Sequence, residues 1–67
     1  MITVHWQHAN GDNWEELFTS MEEAVRLYLA ILNGAAECNY VLAELVRHDV
    51  AEDDVVVAHW EVEDDGK

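Results

Sequence analysis

The chain has 67 residues, fifteen of them Asp or Glu against three Lys or Arg, for a formal net charge of −12. That length holds one domain at most, residues 1–67, near the lower limit for folding without staples. The charge makes nucleic acid and anionic membranes poor direct partners and a strongly basic surface a good one.

Composition narrows the class further. Half of the residues are hydrophobic, among them three Trp, two Tyr and one Phe, which provides one small core and argues against intrinsic disorder. The single Cys38 rules out an internal disulfide and fits a reducing cytosol. The start, MITVHWQ, lacks the basic and apolar regions of a signal peptide. The longest apolar run near a helix, AILNGAA, falls far short of the ~20 residues that cross a bilayer. The expectation is an unprocessed cytoplasmic protein.

Ile2, Val4 and Trp6 alternate with Thr3, His5 and Gln7, the period-2 pattern of a half-buried strand. Residues His8 to Asn13 carry an Asn-Gly step, a hairpin signal. Trp14 to Phe18 then returns as a short second strand, weakened by Glu15 and Glu16. Ser20-Met21-Glu22-Glu23 forms a capping box. After it, Met21, Val25, Tyr28 and Leu32 make one stripe, widened by Ala24, Leu27 and Ile31. Asn33-Gly34 supplies a stop, so the expected helix has about fourteen residues.

Residues 39–47, NYVLAELVR, support two readings. Their Ala, Glu and Leu content and the spacing of Cys38, Val41, Leu42, Leu45 and Val46 suit a helix. Tyr40, Val41 and Val46 suit a strand. The strand Val55–Glu63 needs a partner, which favours the second reading, with His48–Asp54 as the connecting loop. The expected fold is α+β, a small ββαββ domain with one helix packed on one face of an antiparallel sheet.

In that arrangement Val56, Ala58, Trp60 and Val62 point under the helix, while Val55, Val57, His59, Glu61 and Glu63 point to the open face. His5, Gln7, Tyr40, Leu42 and Glu44 join the open face, making it acidic at one end and partly apolar at the other. Alternate strand residues stand roughly 6.8 Å apart, so Glu61 and Glu63 form a carboxylate row continued by Asp64 and Asp65. Glu52, Asp53 and Asp54 form a second group, Asp12, Glu15 and Glu16 a third, and Glu22 and Glu23 a fourth. DNA carries one negative charge per ~1.7 Å of axis, and rows of carboxylates can imitate phosphates. The plainer reading is a solvated acidic surface, with Glu22 and Glu23 explained by capping and the helix dipole, or an adaptation to a salt-rich host.

Other constellations point to no chemistry. His5 and His8 form H-x-x-H but would face opposite sides of a strand, and no Cys/His cluster has zinc spacing. His59 near Glu61 could pair as acid and base, yet no nucleophile or pocket goes with it. No catalytic, cofactor or metal site is therefore expected. The three Trp suit core and hairpin packing better than base stacking, which normally needs a basic groove.

The helix unit WEELFTSMEEAVRLYLAILNG and the acid groups AEDD and EVEDD, in so small and acidic a chain, resemble the small acidic anti-CRISPR proteins of phages. Among these the chain looks most like the type I inhibitors that act as DNA mimics, of the kind directed at type I-C systems. The resemblance spans the whole chain in size, charge and element order, and transfers no individual residue. It implies binding to the basic DNA-accepting surface of the Cascade complex, blocking target DNA. The acids expected to contact that partner, from the charge pattern, are Asp12, Glu15, Glu16, Glu52, Asp53, Asp54, Glu61, Glu63, Asp64 and Asp65. The alternative is a small acidic interaction module without mimicry, a monomer or a weak homodimer joined through the apolar part of the open face.

Overall fold

A computed structural model describes residues 1–48 and 54–62. Its elements are β1 (Ile2–His8), β2 (Asn13–Phe18), α1 (Met21–Cys38), β3 (Tyr40–Arg47) and β4 (Val55–Glu61). The four strands form one antiparallel sheet in the order β2-β1-β3-β4, so the ββαββ expectation holds. Residues 40–47 of the ambiguous stretch are strand and Asn39 is the helix cap: β3 lies between β1 and β4, where its apolar residues are worth more than their helix propensity.

The β1–β2 hairpin turns at Gly11, whose φ of 100° lies in the region that favours glycine. Asn10 Oδ1 accepts from the Asp12 amide at 2.8 Å, and His8 Nδ1 accepts from the Asn10 amide at 3.0 Å. These local bonds hold the turn and satisfy backbone groups that the ladder cannot reach.

The helix starts where the capping box puts it, with Ser20 Oγ accepting from the Glu23 amide at 3.5 Å. It does not stop at Asn33-Gly34. It runs through both residues to Cys38 and ends on Asn39, which is left-handed at φ 59° and donates its amide to the Ala35 carbonyl. The physical reason is the core: Ala24, Tyr28, Ile31 and Ala35 are buried at helical spacing, and Ala35 lies beyond the expected stop. Cys38 is exposed on the final residue of the helix.

This gives a first expected result. A Cβ on Gly34 would meet only Cys38 Sγ at 3.9 Å, an ordinary contact. Gly34→Ala should therefore stabilise the fold by roughly 0.4–1 kcal/mol, by narrowing the unfolded ensemble at a helical position. A urea midpoint that falls on this substitution would contradict a continuous helix.

The helix packs over β3 and β1 and the near part of β2, while β4 lies outside its footprint. Beneath it are Ile2, Val4, Ala43 and Leu45, joined at the margin by Trp6, Phe18, Tyr40, Ala58 and Trp60. Trp6 and Trp60 are half-buried, while His59 and Glu61 face solvent.

Two register shifts alter the expected faces. One lies between Gln7 and His8, where His8 pairs with Tyr40 and Val41 is the extra residue on β3. Tyr40 thus sits on the helix side, within 6.4 Å of the His8 ring and 6.2 Å of Trp14 between ring centroids, and not on the open face. The other shift lies on β4, where Val57 is the extra residue and Val56 pairs with Val46. Val56 therefore belongs to the open side, 54% exposed, and not under the helix. Val62 is also exposed, because no helix covers β4 at that end. A bulge reverses the alternation of all residues beyond it.

Candidate functional site

The face of the sheet opposite α1 is laid out by the register in three rows. Leu17, Thr3, Val46 and Val56 form an apolar row with one hydroxyl. Glu15, His5, Glu44 and His59 form a row that alternates carboxylate and imidazole across all four strands. Asn13, Gln7, Leu42 and Glu61 form the third. The apolar end of this face is the first row; Glu15 and Glu44 lie in the middle row and Glu61 in the third, while Glu63, expected at the acidic end, lies outside the described residues.

His59 is the best-connected group on it. Nδ1 lies 3.2 Å from Glu44 Oε2, and Nε2 lies 3.2 Å from Glu61 Oε1. The short reach to Glu44 follows from the ladder. The Val62 amide donates to the Val41 carbonyl at 2.9 Å, so His59 and Glu44 form a non-hydrogen-bonded pair, in which side chains stand closest. The hydrogen bond to Glu61 and then the interactions with Glu44 raise the His59 pKa above the ordinary imidazole value, despite some desolvation.

At the apolar end Thr3 is only 4% exposed although it lies on this face. His48 accounts for its hydrogen bonding: Nε2 is 2.6 Å from Thr3 Oγ1, and Nδ1 is 3.0 Å from Asp54 Oδ1. Hydroxyl, imidazole and carboxylate in that order resemble a nucleophile chain. A hydroxyl this buried, inside a strand, cannot reach an outside atom. The chain instead ties both ends of the β3–β4 connection to β1, helped by the His48 amide donating to the Met1 carbonyl at 2.8 Å.

The acids named from the sequence are distributed as follows. Glu15 and Glu61 lie on the open face, at its two edges. Glu16 pairs with Val4 and projects from the other side of β2, so the Asp12–Glu15–Glu16 group is divided by strand parity. Asp12 is exposed in the hairpin turn. Asp54 is exposed and engaged with His48. Glu52, Asp53, Glu63, Asp64 and Asp65 lie outside the described residues. Glu44, expected on the open face but not among the partner-binding acids, sits centrally, between His5 and His59. Strand spacing places Glu15 and Glu44 roughly 10 Å apart, between the ~6 Å and ~12 Å widths of the DNA grooves.

His5 and His8 do fall on opposite faces. His8 packs edge-on against Trp14, and Trp14 stacks on Trp6 at 6.1 Å. Among the described residues no three His, Cys, Asp or Glu side chains converge as a metal site, and no pocket is present. Among them, too, no helix is long and apolar enough to cross a membrane.

Three Lys and Arg stand against fifteen acids. Arg26 meets Glu22 at 3.5 Å, with both side chains well exposed, a pair worth a few tenths of a kcal/mol. Stability should therefore rise with salt, as screening weakens repulsion over a Debye length that falls from ~30 Å at 0.01 M to ~10 Å at 0.1 M. A gain of ~1 kcal/mol would lift Tm by ~4–8 °C in a domain of this size. Melting curves between 10 and 500 mM NaCl measure it, and a flat or falling series would show that the acids do not repel appreciably.

No protein-family description, curated protein or solved structure matches the chain. The fold is a small α+β domain, and its distinguishing surface is an acid-bearing sheet face that no other described element covers.

Proposed function

We propose that this protein is an anti-CRISPR inhibitor of the DNA-mimic kind, which occupies the basic DNA-accepting surface of a type I Cascade complex and keeps target DNA out. The observation that supports this most is the open sheet face, where Glu15, Glu44 and Glu61 stand on a strand scaffold that no other described element covers. A net charge of −12 supplies the long-range attraction. Carboxylates held on a sheet lose little freedom on docking, so the ordering cost falls more lightly than on a charged tail. The partner must hold Lys and Arg where DNA lies.

The test is competition. Cascade is incubated with the protein, then offered labelled target DNA at several salt concentrations. Inhibition that fades steeply as NaCl rises is expected. DNA that binds normally near physiological salt would exclude the mimic reading.

The apolar row supports a second reading, an acidic interaction module without mimicry. Leu17 and Val56 on that row are both exposed. Binding through them would change little with salt and would leave DNA access untouched.

A further inference from the structure

The sheet has two edges, and they differ. β2 presents Glu15 and Glu16, both exposed, which guard a strand against pairing with another. β4, VVVAHWE, has neither Lys nor Pro, and its Val55, Val56 and Val57 are exposed. Among the described residues nothing pairs with its outer side.

The backbone polarity of that side follows from the ladder. Since the Val62 amide points into β3, those of Trp60 and Ala58 do so as well, and the N–H and C=O groups of His59 and Glu61 point outward. An antiparallel strand would satisfy all four groups, and one that places a glutamate beside His59 and an imidazole beside Glu61 would complement the side chains as well. β4 itself has that order of residues, two positions apart.

We propose that β4 pairs antiparallel with β4 of a second copy about a two-fold axis at Trp60, joining two four-stranded sheets into one. His59 of each copy then stands opposite Glu61 of the other, giving two reciprocal imidazole–carboxylate pairs on the open face. Trp60 meets Trp60 on the helix side, and Ala58 of each copy meets Val62 of the other. The helix covers these residues only in part: β4 lies outside its footprint, Ala58 and Trp60 are half-buried at the margin of the core, and Val62 is 47% exposed. The seam is thus polar and charge-complementary on one face and apolar on the other. An axis perpendicular to the sheet keeps both open faces on the same side, so the acidic surface doubles in extent.

A second copy is favoured over a foreign strand because the complementarity is internal to β4. The β2 edges, by contrast, would bring Glu15 and Glu16 of both copies together. The opposing force is charge, twice −12 in the pair. Assembly should therefore strengthen with salt, the reverse of binding to a basic complex, and the two can fail separately. Glu44 and Glu61 of the same copy also face His59 and keep it protonated to higher pH. Each cross-copy pair exchanges the same-copy contact of Nε2 with Glu61 for one with Glu61 of the other copy and needs that proton, so the dimer should weaken as pH rises through the His59 titration.

Sedimentation equilibrium of the full chain from ~1 µM to ~1 mM at low and high NaCl measures the association. A dimer is expected that tightens in 0.5 M NaCl. His59→Glu should raise the dissociation constant by about tenfold or more, by setting two carboxylates face to face. Adding Glu61→Lys to it restores opposite charges across the seam and should restore the dimer. Glu15→Lys, on the far edge, makes the same change in net charge as Glu61→Lys without touching β4 and should leave the dimer at least as tight. Circular dichroism confirms that each variant is folded. A monomer throughout the range at high salt overturns the proposal. So does a dimer indifferent to His59→Glu, or a folded double variant that stays monomeric.

Discussion

The combined substitution Glu15→Lys, Glu44→Gln and Glu61→Lys is expected to weaken binding to a basic DNA-accepting complex by about a hundredfold, at ~1 kcal/mol or more for each altered site. The two reversals add four charges and the neutralisation one, taking the net from −12 to −7. Glutamine is chosen at position 44 because that side chain is half-buried and bonded to His59, and its amide oxygen can still accept from the ring. Glu15 is exposed, where substitution away from special contacts costs within ~0.5 kcal/mol, and Glu61, also exposed, gives up a surface contact with His59. The fold should survive. The loss should be largest at low salt and shrink as NaCl rises, because fewer ion contacts remain to be screened. A parallel variant reversing Glu52, Asp53 and Asp54 tests the loop acids. Replacing His8 and Cys38 should leave inhibition intact. If the open-face variant blocks DNA as well as the parent does, that face is not the mimicking surface.

Leu45→Ala should come close to unfolding the domain. Leu45 is 2% exposed under the helix, between Val4 on β1 and Ala58 on β4. Truncating a buried leucine costs about 2–5 kcal/mol, from lost transfer energy and the cavity left behind. A 67-residue domain has roughly 3–10 kcal/mol in total by the usual per-residue range, and repulsion among the acids draws on that margin. Urea melts should show the midpoint falling sharply in low salt and partly recovering in 0.5 M NaCl. Leu17→Ala is the comparison, since Leu17 is largely exposed on the open face and should change little. A Leu45→Ala cost under ~1 kcal/mol would mean the core is centred elsewhere.

Local chemistry in the sequence was enough for the hairpin, the helix start and the first and last strands. Ile2, Val4 and Trp6 alternate without interruption, Gly11 supplies the positive φ, and Ser20 caps a stripe of apolar residues. Each depends on neighbours within a few positions, so each is legible from the chain. The carboxylate of Glu61 is likewise assigned to the open face by alternation. What only the tertiary structure decided lies where distant residues compete with local preference. Asn33-Gly34 reads as a helix end, yet burial of Ala35 carries the helix on to Asn39. Residues 40–47 read either way until β1 and β4 flank them. The bulges at Val41 and Val57 reverse the faces of Tyr40 and Val56, and no periodicity announces a single extra residue. The three-row face, with Glu44 at its centre and His59 held between two carboxylates, exists only once four strands are in register. Alternation along one strand says which side a residue faces; hydrogen bonding between strands decides which residues stand beside it.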